Sequence, residues 1–410
     1  MHIDDTYEVK IIRLNNEGLG VALVDKFVTF VYNALPNELV KIKITEVNEN
    51  YAKAIVTNYI ETSKDRVIPE CPYYEKCGGC NLMHMNYKSQ ISFKKDKVKS
   101  IFKKVSNIDI DIEDIIYDKE YNYRNKVVLK VKGNKIGLYR EKTNDIISVD
   151  KCLIIDNKIN DELIKLELFV HKYINNNINE IMIRSINNKI MLSLDTINKE
   201  VRDSFLDNFS HINSIYINNK LVYGEEFLKE TINDLEFNIS PKSFFQVNKN
   251  IMTKMYDKAI SYIDGGTTLD LYSGTGTLSM LASKTSKEVI GIEALQDAVK
   301  DANNNIELNN IKNVSFICDK VENKIDELKN KKIDNIILDP PRSGSDKKSL
   351  NSILEIEPKQ IIYISCNPVT LSRDYNTLKE KYNIKEITLF DMFPNTYHVE
   401  TVMILERRNS

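Results

Sequence analysis

The stretch "YISCNPVTLSRD" sets a thiol, Cys366, directly after an apolar run, and "DMFPNTYHVE" sets His398 and Glu400 just before the last apolar run of the chain. A cysteine that closes a strand is by default a small buried hydrophobe. Here Asn367–Pro368 forces a turn, which leaves the thiol at the edge of the sheet where open α/β folds bind ligands. A thiol paired with a carboxylate suits the alkylation of a reluctant carbon. C5 of a uracil is a poor nucleophile, but thiolate addition at C6 makes an enolate whose C5 can attack an electrophilic methyl group. A base must then remove the C5 proton so that the thiolate can leave, which divides one hard step into easier ones. Cys366 as nucleophile and Glu400 as base satisfy this scheme.

The methyl source is suggested by three turns upstream. "LDLYSGTGTLSM" ends a strand in an acid and opens a helix through Gly274 and Gly276, where glycine lets the backbone approach a ligand closely. "GIEA" places Glu293 at the end of the next strand, positioned to accept from ribose hydroxyls. "NIILDPPRSG" ends in Asp339 followed by a rigid double proline, again at the carboxyl edge of the sheet. The third glycine of a dinucleotide fingerprint is missing, which disfavours NAD. The joint pattern looks like a methyltransferase that uses S-adenosylmethionine (SAM). An amino-group methyltransferase needs neither thiol nor C–H base and usually carries an aromatic residue after the double proline, where this chain has Arg342. Cytosine-C5 enzymes acting on RNA use a second cysteine in the proline-containing motif, and none stands there. Cys318, in "VSFICD", reads as a packed strand residue.

A second thiol-rich segment, "CPYYEKCGGC", holds Cys71, Cys77 and Cys80, and Cys152 in "VDKCLII" is a candidate fourth partner. The N-terminus, "MHIDDTYEVKII", lacks a basic region followed by an apolar run, so no signal peptide is expected and a reducing cytoplasm follows. Structural disulfides are improbable there. Four thiolates suit zinc or an iron–sulfur cluster, and the spacing alone does not choose between them.

The elements that must carry these groups fall into three segments. At 410 residues, two or three domains are expected. With 42% hydrophobic residues and no long uncharged apolar run, no transmembrane helix is expected. A net charge of −2 advertises no nucleic-acid binder, so any such binding must come from local patches. Residues 1–62 alternate apolar and polar residues around Gly18 and Gly20 and suit a small OB-type β-barrel. Residues 63–240 read as a β-rich domain with the cysteine cluster. It opens with a helix near 86–106 in which Ile91, Phe93, Val98, Ile101 and Phe102 offer a buried side and the lysines a basic patch. From residue 241 to 410, strand-like and helical runs alternate, which predicts a mostly parallel sheet with helices on both faces.

Taken with "ALPNE", "YRNKV", "PKSFFQVN" and "HVET", these motifs make the chain similar to the RNA uracil-5-methyltransferases that act on tRNA and 23S ribosomal RNA. The resemblance implies that residues 1–62 form a TRAM domain and that the C-terminal domain is a Rossmann-like SAM-binding fold. It implies that Gln246, Tyr272, Gly274, Gly276, Glu293, Asp319 and Asp339 meet the cofactor, and that Phe244 and Phe245 line the target pocket. It also implies that Cys71, Cys77, Cys80 and Cys152 hold a [4Fe-4S] cluster in a structural or RNA-positioning role, as in ribosomal-RNA members with this loop. "ALPNE" departs from the family pattern, with Asn37 where relatives usually have glycine. The expectation is a monomeric, cytoplasmic enzyme making 5-methyluridine in 23S rRNA, with tRNA as the alternative substrate. An amine methyltransferase and a non-catalytic RNA-binding iron–sulfur protein are the competing classes.

Overall fold

The computed structural model describes residues 1–113 and 115–408. The chain divides into two units, one of Met1–Lys97, Tyr139–Asn144 and Phe393–Tyr397, the other of Val98–Leu138, Asp145–Met392 and His398–Ser410.

In the first unit, six strands between Thr6 and Glu61 form one sheet, antiparallel except where Phe27–Tyr32 runs parallel to Ala52–Glu61. Period-two patterning turns Val9, Val31, Val40, Ile42, Ile44 and Ala54 into a common core. Tyr7 and Phe27 pack against that core, while Phe30 pairs with Tyr51 and the Tyr32 ring receives the Lys142 ammonium. Asn37 adopts φ 71°, a left-handed turn conformation that asparagine tolerates better than most residues.

The helix Tyr87–Ser106 forms as its apolar spacing predicts, with Val98, Ile101 and Phe102 buried. Its lysines do not all make a solvated patch. Lys94 is fully buried and donates to the Phe393 carbonyl at 3.1 Å, and Lys97 donates to the Tyr397 carbonyl at 2.9 Å. Both ammonium groups are committed to backbone oxygens.

The second unit contains two large sheets. The seven-stranded one centres on the antiparallel pair Glu180–Ile186 and Lys189–Leu194, with Lys126–Lys132 on its other flank. Two helices not expected from the strand-rich sequence, Asn157–Lys172 and Lys199–Asn208, belong to this region. Asp156 and Asn198 cap them, and Phe169, Phe205 and Phe209 cluster between them.

The other sheet carries the candidate site. Its strands are β1 Thr267–Leu271, β2 Glu288–Glu293, β3 Val314–Cys318, β4 Asn335–Leu338, β5 Gln360–Ser365, β6 Tyr382–Phe390 and β7 Glu400–Arg407. They run in the spatial order 3-2-1-4-5-7-6, with the short strand Ile115–Ile116 beyond β6. β1 to β5 are parallel, and β7 inserts antiparallel between β5 and β6. The crossover helices follow from local signals, as with Asn367 capping Pro368–Leu378 with proline in its first turn. The carboxyl ends of β1 to β5 therefore share one edge, and the switch in strand order beside β1 opens a crevice there.

Candidate active site

β5 ends at Ser365, which pairs with Thr401 of the antiparallel β7. One step further, Cys366 leaves β5 at the level where Glu400 begins β7. Two residues 34 positions apart in sequence thus meet through strand register. Cys366 is held on both sides. The Ser365 hydroxyl donates to the Asn367 carbonyl and accepts from the Asn367 N–H, both at 3.1 Å, and the Asn367 side chain accepts from the Val369 N–H at 3.1 Å. The Asn367 amide also donates to the Arg342 carbonyl at 3.0 Å, tying the double-proline loop to the turn after β5.

Burial dominates the electrostatics. It pushes the Cys366 thiol up to about 11, with the Glu400 carboxylate adding to the rise and the Arg342 guanidinium opposing it. The Glu400 carboxyl is pushed up to about 8, first by burial and then by Asp339, again against Arg342. Burial alone pushes Asp339 up to about 7. Thiol, two carboxyls and one guanidinium thus form a single electrostatic group. Arg342 is the cation that favours both the thiolate and the carboxylate.

The crevice at the end of β1 is lined by Phe244, Phe245, Tyr256, Asp270, Tyr272, Gly274 and Asp339. Tyr272 has φ 65°, an uncommon conformation for a bulky residue, and it turns the chain sharply out of β1. Gly274 has φ 54°, and a Cβ there would meet no protein atom within 4 Å, so the backbone faces open space. Gly276, at φ 78°, caps the helix Thr277–Ala282, and a Cβ there would stand 2.5 Å from Phe316. One glycine is needed for approach to a ligand, the other for packing.

Glu293 closes β2 with one oxygen accepting from the Gly274 N–H at 3.0 Å and the other from the Leu295 N–H at 2.8 Å. Asp319 follows β3. Its own N–H donates to the Glu293 carbonyl at 3.0 Å, and its carboxylate is held low by Asn323 and the Lys320 N–H. Gln246 is buried and directly follows Phe245 of the crevice wall. Of the residues expected at the cofactor, Tyr272, Gly274 and Asp339 line the crevice and Glu293 reaches it through the Gly274 N–H, whereas Asp319 is linked to Glu293.

A SAM molecule fits the chemistry of these groups. Asp270 is fully buried in β1, and burial pushes it up to about 7. Ser279 satisfies one of its oxygens, while the other oxygen and the Ser273 hydroxyl have no hydrogen-bond partner among the described residues. Buried polar atoms left over at the wall of an open crevice suit a polar ligand.

Asp270, Tyr256 and Arg184 carry more of the site than sequence reasoning assigned them. Arg184 is fully buried and donates to the Ser240 carbonyl at 3.0 Å and the Ser243 carbonyl at 2.9 Å, while the Asn125 N–H donates to the Val247 carbonyl at 2.8 Å. Together they fix the loop that bears Phe244 and Gln246. The available signal was a lone arginine inside the apolar strand "EIMIRSI".

The iron–sulfur cluster expected at the cysteine loop finds no support among the described residues. Cys71, Cys77 and Cys80 belong to the first unit and Cys152 to the second. Among the described residues, no group of three or more His, Cys, Asp or Glu side chains is gathered as a metal centre demands. No disulfide joins the described cysteines. Burial pushes the Cys77 thiol up, with the Gly79 N–H opposing and Cys71 adding. Cys318, expected to pack, instead ends β3 exposed to solvent.

Among the described residues, no helix is long and apolar enough to cross a membrane. The family model described as tRNA (uracil-5-)-methyltransferase matches residues 86–408, and the TRAM domain model matches residues 4–57. An uncharacterized RNA methyltransferase of Clostridium acetobutylicum is 37% identical, over 98% of this chain and 97% of its own length. Another, from Caldanaerobacter subterraneus, is 36% identical over 99% of both chains. Among solved structures, the Pyrococcus abyssi tRNA (uracil-54, C5)-methyltransferase in complex with S-adenosyl-L-homocysteine superposes with a TM-score of 0.80. It is 27% identical and covers 97% of this chain and 99% of that one.

Proposed function

The chain belongs to the tRNA (uracil-5-)-methyltransferase family and carries a TRAM domain, and from that premise we propose that it makes 5-methyluridine in 23S ribosomal RNA in the cytoplasm, as a monomer. The observation that carries the chemistry is the Ser365–Thr401 pairing, which brings Cys366 and Glu400 to one level of the sheet edge beside Asp339 and Arg342.

In this reading Phe244, two-thirds exposed at the crevice, stacks on the target uracil, which must leave its RNA stack to enter. Arg342 favours the Cys366 thiolate, whose sulfur adds to C6 and drives the ring electrons toward O4. Gln246, Tyr272, Gly274, Glu293, Asp319 and Asp339, with Gly276 shaping the turn, would hold SAM, which would supply the electrophilic methyl group. Once C5 carries the methyl group, with S-adenosylhomocysteine as the other product, Glu400 as carboxylate removes the C5 proton. The C5–C6 double bond re-forms and expels the Cys366 thiolate. The sequence is redox-neutral, so no step is routed through the cysteine loop.

Ribosomal RNA is favoured by the Cys71–Cys80 loop, which resembles that of ribosomal-RNA members. One observation favours tRNA, namely the superposition on a tRNA-modifying enzyme. Tritium release from C5-tritiated uridine, measured in unmodified 23S rRNA and in tRNA with Cys366→Ala as control, separates them. Release from rRNA alone, lost in the variant, is expected. Release from tRNA alone keeps the mechanism and changes the substrate, and undiminished release by Cys366→Ala refutes covalent catalysis.

A further inference from the structure

We infer that Gln90 is a positioning residue for the reaction: with Asn395 it forms an amide clamp that fixes the segment Phe393–Tyr397, which ends three residues before Glu400. The inference rests on the reading of Glu400 as the base that releases the product.

Asn395 is 1% exposed and sits at φ 65°. Its backbone N–H donates to Gln90 Oε1 at 3.0 Å, and Gln90 Nε2 donates in return to Asn395 Oδ1 at 3.1 Å and to the Met85 carbonyl at 2.9 Å. The Asn395 carbonyl accepts from the N–H groups of Asn81 and Leu82, at 2.9 and 3.0 Å. Those two residues follow Cys80 directly, so the thiol-rich loop ends in the clamp. Lys94 and Lys97 continue the same helix face at i+4 and i+7, and each donates to a carbonyl of the same segment, Phe393 and Tyr397. Lys97 also lies over the Tyr397 ring at 4.9 Å.

A helix face that packs a loop is ordinarily apolar. This one carries three long polar side chains, all aimed at a single five-residue segment. Burying them is costly unless each is hydrogen-bonded. Apolar packing tolerates sliding, whereas four directed bonds between these side chains and main-chain or amide atoms specify the position and direction of the chain. A general base demands that precision, because proton abstraction requires hydrogen-bond reach of the proton. A misplacement of about 1 Å can cost about a hundredfold.

The test uses the full-length protein, SAM carrying a labelled methyl group and whichever RNA supports tritium release. Gln90→Ala deletes the side-chain pair. Asn395→Gly deletes it independently while keeping the left-handed backbone and the carbonyl that Asn81 and Leu82 use. Elimination is expected to slow about tenfold or more in both. Methylated RNA should then accumulate as a denaturant-stable adduct on Cys366, with SAM affinity within about twofold of the parent. A merely structural role would lower adduct formation and tritium release together, and that outcome overturns the inference. So does parental adduct level and release rate in both variants. If Gln90→Ala fails to fold, Asn395→Gly and Gln90→Glu, which keeps the acceptor for the Asn395 N–H, decide. Glu400→Gln is the separate control. Without adduct accumulation in that variant the base assignment fails, whatever the clamp variants do.

Discussion

Replacing Glu400 by glutamine should stabilise the ligand-free protein above about pH 4.5, increasingly up to about pH 8. Glu400 is 5% exposed, and its carboxyl is pushed from an ordinary 4.5 up to about 8 by burial and by Asp339. Between those two pH values the unfolded chain has released the proton while the folded protein keeps it. Folding therefore weakens as pH rises through this window, and below about pH 4.5 the penalty is absent because both states are neutral. At about 1.4 kcal/mol per pH unit the full displacement sets a ceiling of about 5 kcal/mol. Relaxation and water entry, with Arg342 as counter-charge, should leave about 1–3 kcal/mol. Glutamine keeps the volume and removes the charge. The assay is thermal or urea unfolding of both proteins without SAM or RNA from pH 4 to pH 9. The two should coincide at the acid end and separate progressively to pH 8, with Glu400→Gln the more stable. A difference that is constant with pH, or parental protein the more stable at pH 8, would refute the burial argument. The same titration predicts that the elimination step of the parent enzyme speeds up as pH rises toward 8, since the base must be ionised.

Other predictions follow from particular contacts. Gly276→Ala should destabilise by about 1–3 kcal/mol, because it combines φ 78° with a Cβ 2.5 Å from Phe316, whereas Gly274→Ala should cost about 1 kcal/mol of stability and proportionally more of SAM affinity. Parallel denaturation and calorimetric SAM titration would refute the division of roles if the two variants behaved alike. Arg184→Met leaves the Ser240 and Ser243 carbonyls without their donors and should cost about 2–4 kcal/mol. Its SAM dissociation constant should also rise, since the loop it releases bears Gln246; unchanged SAM binding would count against that link.

Much of the site was legible because its signals are local. The apolar runs of β1 to β5, the glycines after β1, the acid ending β2 and the Asn367–Pro368 cap each depend on a few neighbouring residues, and the structure places them at one sheet edge. Signals that compete with composition were harder to read. The helices Asn157–Lys172 and Lys199–Asn208 lie in an Asn-, Ile- and Lys-rich stretch whose periodicity is blurred, although Asp156 and Asn198 mark their starts. The lysines of Tyr87–Ser106 looked uniformly solvated because sequence does not tell which cation finds a carbonyl. Lys94 and Lys97 turn inward only because Phe393 and Tyr397, nearly 300 residues later, supply acceptors.

The sequence by itself thus determined the residue types that the chemistry needs and the local turns that present them: a thiol after one strand, a carboxylate before another, and a glycine cradle after a third. Tertiary structure alone decided that Cys366 and Glu400 meet, because register between β5 and β7 is a pairing of distant segments. It also decided that Arg184 braces the loop that bears Phe244 and Gln246. The physical reason is the same in each case. Propensity, capping and turn chemistry act over a few residues, whereas pKa displacement, register and coordination depend on which surfaces the folded chain brings together and removes from water.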